Sequence, residues 1–400
     1  MANNTLIAEG EKYLMPVFSR IPVTMVKGSG CYIWDADGRK YLDFVSGIAV
    51  NALGHANEEV VDAICIQAHR LIHCSNLYWI EKQIELAKLL VENSVGDKVF
   101  FANSGAEANE AAIKLARKYG KKKHGPDCYE IITAKMSFHG RTMATISATG
   151  QEKVQHGFEP LLPGFKYVPF NDLEALEAAI DNKTCAVLLE PIQGEGGVRM
   201  PDKDYHTKVR ELCDKKQILL IYDEIQTGIG RTGKLFAYEH FDVEPDIFTL
   251  AKALGSGTAI GAMLAKEEVA QAFEPGDHGS TFGGNPLACA AGIKTMEIMI
   301  RDNLSAHADD MGVYLKIQLK ELKERFTCIK EIRGYGLLIG MELTIPGKDI
   351  ITSAMKKGLL LNCVAGNVLR FIPPLIVTKT EINLALDILG QALTEAEEKA

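Results

Sequence analysis

The interpretation of the whole chain starts from the stretch Pro245-Asp246-Ile247-Phe248-Thr249-Leu250-Ala251-Lys252-Ala253-Leu254-Gly255-Ser256-Gly257. Its apolar run is short enough for a buried strand, and small residues follow Lys252, which predicts a lysine at a strand end beside irregular backbone. An amine among apolar side chains is desolvated, which disfavours the ammonium form and leaves more of the nucleophilic free base. The stretch therefore predicts a lysine able to form an imine with an aldehyde. A solvated surface lysine is the alternative that this segment alone leaves open.

Apolar runs alternate with helical patterns around this stretch, from about residue 57 to residue 266. The predicted strands are Val99–Phe101, Ile131–Thr133, Ala186–Leu189, Ile218–Ile221 and Ile247–Leu250. The predicted helices include Ala108–Tyr119, Leu173–Ile180 and Tyr205–Lys216. Such alternation predicts an α/β fold whose mostly parallel sheet carries helices on both faces. Ligands then bind at the carboxyl ends of the strands.

Both ends of the chain are predicted to form a smaller domain beside this sheet. Near the N-terminus, an irregular arm with one short helix precedes two runs, 31–35 and 41–44, that alternate as a hairpin around Asp37-Gly38. Near the C-terminus, apolar runs at 337–341 and 369–372 precede a helix from about Lys379. The predicted division is 1–56 for the N-terminal arm and hairpin, 57–300 for the large domain and 301–400 for the C-terminal part of the small domain.

Composition restricts the class of protein. The chain has 400 residues, of which 47% are hydrophobic and 24% charged, so it can bury a large core. Its net charge of -8 argues against nucleic-acid binding, and no apolar run approaches membrane-spanning length. Nine cysteines without Cys-x-x-Cys spacing or a His cluster indicate neither a disulfide framework nor a metal site. We expect a cytoplasmic protein with no nucleic-acid or membrane partner.

Two stretches are candidates for phosphate binding. The strand near Phe101 breaks on Ser104-Gly105 and enters a helix, whose free N–H groups and macrodipole favour an anion beside the Ser104 hydroxyl. An ordinary helix cap by Ser104 is an equal alternative. Ser280 and Thr281, in a glycine-rich loop before another helix, offer a second contact.

Other strand ends carry groups suited to a flat, electron-withdrawing ring. Asp223 could hold a protonated pyridine nitrogen, Gln226 a phenolic oxygen, and Ile225 could cover one ring face. A metal ligand or a helix cap is the alternative for Asp223. In Phe138-His139-Gly140-Arg141 either aromatic could stack on the ring, and Arg141 could bind a substrate carboxylate. Glu190 and Glu195, in and beside another glycine-rich loop, could face the same crevice. Together these residues form the inventory of pyridoxal phosphate chemistry.

Five motifs make a family resemblance specific. They are Asn103-Ser104-Gly105-Ala106-Glu107-Ala108, Phe138-His139-Gly140-Arg141, Glu190-Pro191-Ile192-Gln193-Gly194-Glu195-Gly196-Gly197, Asp223-Glu224-Ile225-Gln226-Thr227-Gly228 and Ala251-Lys252. In the order and spacing of these motifs the chain resembles class III (omega-type) aminotransferases. Within that class it most resembles the acetylornithine aminotransferases. The resemblance implies the fold-type I architecture, in which a mostly parallel seven-stranded sheet forms the large domain and both termini form a smaller α/β domain. It also implies a homodimer with active sites shared at the subunit interface.

The resemblance assigns a role to each candidate residue. For the cofactor, pyridoxal 5'-phosphate, it implies Lys252 as the residue bonded to the aldehyde, Asp223 on the pyridine nitrogen, Gln226 on the phenolic oxygen, Phe138 and Ile225 on the ring faces, and Ser104, Gly105 and Ala106 at the phosphate, with Thr281 from the other subunit. For the substrate it implies Arg141, Arg370 and Ser280, with Glu195 pairing Arg370 when no dicarboxylate is bound. Lys252 and Asp223 are the predicted catalytic residues.

The activity expected from this resemblance is transfer of the terminal amino group of N2-acetylornithine to 2-oxoglutarate. The products are N-acetylglutamate 5-semialdehyde and glutamate, in arginine biosynthesis. Ornithine aminotransferases carry a tyrosine near the position of Phe18, and its absence favours an acylated substrate. Open alternatives are succinylornithine, ornithine or 4-aminobutyrate transamination, an aminomutase or racemase, and a catalytically silent cofactor-binding protein. A nucleotide-binding domain is disfavoured, because the chain has no Gly-x-Gly-x-x-Gly motif after the first strand of the alternating region.

Overall fold

The computed structural model describes residues 2–398, so Met1, Lys399 and Ala400 of the predicted terminal parts lie outside the described residues. The strands are β1 (Met25–Ser29), β2 (Tyr32–Asp35), β3 (Lys40–Asp43), β4 (Lys98–Ala102), β5 (Glu130–Ala134), β6 (Phe165–Val168), β7 (Thr184–Leu189), β8 (Leu219–Asp223), β9 (Ile247–Leu250), β10 (Gly261–Ala265), β11 (Ile329–Tyr335), β12 (Leu338–Leu343), β13 (Leu359–Leu360), β14 (Asn362–Val364) and β15 (Val368–Phe371). The α-helices are α1 (Ala2–Tyr13), α2 (Ser46–Ala49), α3 (Glu58–Arg70), α4 (Glu81–Glu92), α5 (Gly105–His124), α6 (Met143–Ala148), α7 (Glu152–Gln155), α8 (Leu173–Ala179), α9 (Tyr205–Lys216), α10 (Glu267–Ala270), α11 (Pro286–Arg301), α12 (Leu304–Arg325), α13 (Lys348–Lys356) and α14 (Lys379–Glu397).

A seven-stranded sheet forms the centre of the molecule, in the order β4-β10-β9-β8-β7-β5-β6. The strands from β9 to β6 pair in parallel, whereas β10 is antiparallel to both β4 and β9. This confirms the predicted mostly parallel sheet of an α/β fold. Every residue of the central strands β7, β8 and β9 is buried, which explains why their sequences read as continuous apolar runs.

Two strands of this sheet, β6 and β10, were absent from the predicted set. The edge strand β6 includes Lys166 and is only partly buried, so its sequence lacks the apolar run of a central strand. β10 begins at Gly261, where an added Cβ would lie 2.3 Å from the carbonyl oxygen of Ser104. A close backbone approach therefore requires glycine at this position, and a glycine weakens the strand signal in the sequence.

Two smaller sheets lie beside the central one, in the orders β1-β2-β3-β13 and β11-β12-β15-β14. The predicted hairpin forms between β2 and β3, with Ile33 opposite Tyr41. β13 adds in parallel to β3 and places Leu359 opposite Leu42, so the two ends of the chain share one sheet. The boundaries predicted at residues 56 and 300 remain a prediction. Among residues 2–398, no helix is both long enough and apolar enough to cross a membrane.

Gly312 allows α12 to pack directly against the turn between β11 and β12. A Cβ added at Gly312 would lie 2.0 Å from the carbonyl oxygen of Gly336. Because the nearest atoms belong to the backbone, no side-chain rotation could relieve the overlap. This contact holds the helix against the sheet that carries Arg370.

We therefore expect Gly312→Ala to lower the free energy of unfolding by about 1–3 kcal/mol through overpacking. Gly390→Ala, in helix α14, is the matched control, because its added Cβ would lie 3.9 Å from Leu322 of α12, an ordinary contact distance. The control should be neutral or stabilise by up to about 1 kcal/mol, since alanine is the better helix former. Chemical denaturation of the two variants measures both effects. Equal stabilities would contradict the packing assigned to Gly312.

Candidate active site

A cavity of about 420 Å³ opens where the carboxyl ends of β4, β7, β8 and β9 meet. Most of the predicted site residues line it: Ser104, Gly105, Ala106, Phe138, Arg141, Glu195, Asp223, Ile225, Gln226 and Lys252. Arg370 reaches the same place from β15 through its contacts with Glu195 and Gln226. The structure thus brings together groups that the sequence separates by more than a hundred residues.

Lys252 lies partly buried at the cavity, two residues after the end of β9. Burial lowers the pKa of its amine from the ordinary 10.5 to about 8, against the opposing effect of the Glu195 charge. Its φ of 43° lies in the left-handed region, which a residue with a side chain seldom adopts and which often marks a functional site. The solvated alternative for Lys252 therefore does not apply, and its amine is a nucleophile available near neutral pH.

Asp223, at the end of β8, is only 4% exposed and is held by three donors. Its Oδ2 accepts hydrogen bonds from Asn109 Nδ2 and His139 Nδ1, both at 2.8 Å, and its Oδ1 accepts one from the Ile225 amide at 3.1 Å. Nδ1 of the His139 ring is therefore committed to Asp223, and both His139 and Phe138 line the cavity. Among residues 2–398, no group of three His, Cys, Asp or Glu side chains is arranged to hold a metal ion.

At the N-terminus of α5, Ser104 caps the helix and two backbone amides beside it stay free to bind an anion, so the two alternatives for this stretch are compatible. The Ser104 hydroxyl caps the helix by accepting from the Glu107 amide at 3.2 Å. The amides of Gly105 and Ala106 find no acceptor within residues 2–398, so they remain available to an anion at the cavity wall. Gly105 also packs against Ile225, because an added Cβ would lie 2.8 Å from its Cδ1.

Arg370 forms an ion pair with Glu195, which lines the cavity. Arg370 is wholly buried, and its Nη1 donates to Glu195 Oε1 at 2.6 Å and to Gln226 Oε1 at 3.0 Å. Burial alone would raise the pKa of Glu195, but the charges of Arg370 and Lys252 outweigh it and leave that pKa below its usual range. Arg370 Nη2 is buried without a partner in the described chain. An unpaired guanidinium N–H beside the cavity is suited to a carboxylate ligand.

Three residues named in the sequence analysis lie outside this cavity. Ser280 accepts from Asn103 Nδ2 at 3.1 Å, but it lines a neighbouring cavity together with the exposed Thr281. Phe18 is 70% exposed on the N-terminal arm. Within this chain, none of the three is brought to Lys252.

Two buried residues of the site, Glu190 and Asn109, received no role in the sequence analysis. Glu190 accepts from the amides of Phe138 and Gly194, at 3.2 and 3.3 Å, and burial together with the Asp223 charge holds its pKa well above the ordinary value. Asn109, the second Asp223 donor, lies one helical turn after Gly105. That i, i+4 spacing on a helix that opens at the predicted phosphate site was the available sequence signal.

Comparison with known proteins gives consistent results. The family model described as Aminotransferase class-III matches residues 15–393. The chain is 57% identical to the acetylornithine aminotransferase of Caldanaerobacter subterraneus over 98% of this chain and 99% of the relative, and 52% identical to that of Methanocaldococcus jannaschii over 99% of both.

Solved structures agree on the fold. The ornithine aminotransferase of Toxoplasma gondii is 35% identical with a TM-score of 0.97, covering 100% of this chain and 97% of that one. The acetylornithine aminotransferase of Elizabethkingia anophelis is 34% identical with a TM-score of 0.88, covering 99% and 100%. These likenesses confirm the expected fold-type I architecture. With a family model spanning most of its length and relatives above 50% identity, this chain belongs to the class-III aminotransferase family.

Proposed function

We propose that this chain is a pyridoxal phosphate-dependent aminotransferase that moves the terminal amino group of N2-acetylornithine to 2-oxoglutarate, yielding N-acetylglutamate 5-semialdehyde and glutamate in arginine biosynthesis. The observation that carries the proposal is the meeting of Lys252, with its lowered pKa, Asp223 and the Arg370–Glu195 pair at one cavity. The choice of an acylated donor is supported by curated acetylornithine aminotransferases at 48–57% identity. Phe18 adds no support, since it does not line the cavity.

The residues present fit pyridoxal phosphate. The free amides of Gly105 and Ala106 suit its phosphate, and the buried carboxylate of Asp223 suits its ring nitrogen. Phe138 and Ile225 supply apolar surfaces for the ring faces. When bound, this cofactor supplies an aldehyde that bonds to amines and a ring that withdraws electrons from the carbon carrying the amine.

The chain itself must bind the substrate and move a proton. Lys252 Nζ, once free, accepts the proton that leaves the amine-bearing carbon and can return it, because a pKa of about 8 favours transfer in both directions near neutral pH. Gln226 is proposed to bind the phenolic oxygen of the cofactor. In the structure its amide joins Arg370 to Glu195, so binding there would require the amide to exchange partners.

Two different substrates must use this one site in turn. Glutamate and 2-oxoglutarate carry two carboxylates, for which Arg141 and Arg370 are the proposed partners. Acetylornithine brings one carboxylate and a terminal amine, so the second cation must be neutralised while it binds. Glu195, at 2.6 Å from Arg370, is placed to do this. Ser280 is the remaining proposed substrate contact.

A homodimer with shared active sites is proposed from the surface beside Ser280 and Thr281. Leu77, Trp79 and Phe282 are 85%, 91% and 60% exposed, and exposed apolar residues of this size are typical of protein interfaces. Asn76 Nδ2 donates to the carbonyls of Ser280 and Gly283, both at 3.0 Å, which makes these residues parts of one surface. In the proposed dimer, Thr281 reaches the phosphate bound by the partner subunit.

The cytoplasm is the proposed location. All nine cysteines are free, as expected for a protein in a reducing compartment.

Borohydride reduction of the yellow loaded protein should fix the cofactor covalently on Lys252, and Lys252→Ala should abolish turnover. Lys316 is the matched control, because burial also lowers its pKa while its amine donates to the Gly334 carbonyl outside the cavity. Peptide mapping should find the label on Lys252 alone, and Lys316→Ala should keep its activity. A label on any other lysine would refute the central assignment.

Asp223→Asn should retain cofactor but lower kcat by at least about a hundredfold, or about 2.7 kcal/mol, because a neutral amide cannot stabilise a protonated ring nitrogen. Glu224→Gln is the adjacent control. The Glu224 carboxylate accepts from Thr227 and from the amides of Ala237 and Tyr238, so its loss should affect stability rather than turnover. Steady-state kinetics and thermal unfolding separate the two results. Near-normal kcat in Asp223→Asn would leave Asp223 a structural acid.

In a donor panel with 2-oxoglutarate, N2-acetylornithine should exceed ornithine in kcat/KM by about one to two powers of ten. Free ornithine brings a second ammonium near two arginines, and an uncompensated buried polar group costs about 1–3 kcal/mol. Succinylornithine and 4-aminobutyrate complete the panel. Equal efficiency with ornithine or 4-aminobutyrate would refute the substrate assignment but not the family.

The same assay tests the proposed masking of Arg370. Glu195→Ala should slow the acetylornithine half-reaction more than the glutamate half-reaction, because an unmasked Arg370 still accepts a dicarboxylate. Glu342→Ala, which breaks the Glu342–Arg333 pair outside the cavity, should leave the ratio unchanged. If both half-reactions slow equally in Glu195→Ala, Glu195 does not act as a switch.

A further inference from the structure

Asn109 is a buried polar residue that the assignments above do not use. Its Nδ2 donates to Asp223 Oδ2 and to the carbonyl oxygen of His139, both at 2.8 Å. Its Oδ1 accepts from the hydroxyl of Thr249, also at 2.8 Å. Asn109 and Thr249 are both wholly buried, so water does not compete for these bonds.

Only one orientation of the Asn109 amide satisfies its neighbours. The carboxylate of Asp223 and the carbonyl of His139 accept hydrogen bonds but cannot donate, so the amino group must face them. The amide oxygen then faces Thr249, whose hydroxyl supplies the remaining donor. Each group in this chain of contacts restricts the next.

The fold places these three side chains on separate rigid elements. Asp223 and Thr249 lie directly opposite each other on the parallel strands β8 and β9, and the Glu224 amide donates to the Thr249 carbonyl at 3.0 Å. Asn109 projects onto them from α5, whose first residues, Gly105 and Ala106, form the proposed phosphate site. One helix therefore contacts both ends of the proposed cofactor site.

We propose that Asn109, held by Thr249, is a positioning residue that sets the orientation of the Asp223 carboxylate toward the ring nitrogen of the cofactor. The inference rests on the proposed function, because it needs a ring at Asp223. With Asn109 and His139 on Oδ2 and the Ile225 amide on Oδ1, rotation of the carboxylate is restricted before any ligand arrives. A charge that is already oriented need not reorganise during the reaction, which is the main advantage of an enzyme site over water.

The test compares Thr249→Val, which removes the hydroxyl but keeps the side-chain shape, with Thr249→Ser, which restores the hydroxyl. Thr295→Val is the matched control, because Thr295 is also wholly buried and its hydroxyl donates to the Ala291 carbonyl at 2.8 Å in α11. Each protein is titrated with pyridoxal phosphate after cofactor removal, and its visible spectrum, melting temperature, kcat and KM are measured.

Thr249→Val should bind the cofactor more weakly, alter the visible spectrum and lower kcat about tenfold, with KM for acetylornithine changing less than about twofold. Thr249→Ser should recover kcat to within about threefold of wild type. Thr295→Val should lower the melting temperature and leave the spectrum, cofactor affinity and kcat as in wild type. Asn109→Ala should reduce kcat and cofactor affinity further than Thr249→Val, since it removes the donor itself.

The outcomes distinguish this inference from the function beneath it. If the wild type is active and Thr249→Val matches Thr295→Val in spectrum, affinity and kcat, Asn109 does not act on Asp223 through Thr249 and the inference is wrong. The same conclusion follows if Thr249→Ser is no better than Thr249→Val. A wild-type protein that fails to bind pyridoxal phosphate at Lys252 would refute the proposed function, and this inference with it.

Discussion

The structure of the site depends on keeping one carboxylate buried at the end of a central strand. An isolated carboxylate in an apolar interior costs several kcal/mol unless it is paired or hydrogen-bonded. Asp223 meets that requirement with donors from three places, the helix α5, the segment after β5 and its own turn. Because β8 lies between β7 and β9, such donors cannot come from the plane of the sheet beside the strand. The parallel topology thereby determines where the charge can lie.

The remaining charges of the cavity are stabilised by different means. Glu190 accepts hydrogen bonds from two backbone amides, and burial together with the Asp223 charge holds its pKa well above the ordinary value. Glu195 stays ionised because Arg370 is close, and this pair joins the loop after β7 to the small sheet containing β15. Lys252 sits among both acids and Arg370, yet burial is the largest influence on its pKa. The amine is therefore less basic than an exposed lysine although carboxylates surround it.

Close contacts at two glycines bring these elements within reach of each other. Gly261 lets β10 approach the Ser104 carbonyl, and Gly105 lets α5 approach Ile225. Lys252 adopts a left-handed conformation, which costs of order 1–3 kcal/mol for a residue with a side chain. Packing of the neighbouring strands must offset this cost, so the site is stable only as part of the complete sheet.

The sequence by itself determined the order of strands and helices, the predominantly parallel sheet and the chemical types of the groups at its carboxyl edge. These follow from local patterns, because apolar runs, glycine breaks and strand-end polar residues are visible within about ten positions. For the same reason local patterns did not reveal β10, since its first residue, Gly261, reflects a contact with distant backbone.

Only the tertiary structure decided which of these groups touch. The Asn109–Asp223 contact spans 114 positions and the Arg370–Glu195 pair spans 175, and side-chain orientation depends on packing that no local pattern encodes. The tertiary structure turned the His139 ring toward Asp223 and kept Thr281 away from the Lys252 of its own chain. Side-chain conformation and burial are set jointly by all neighbouring elements, which is why the roles of the residues became clear only once the fold was known.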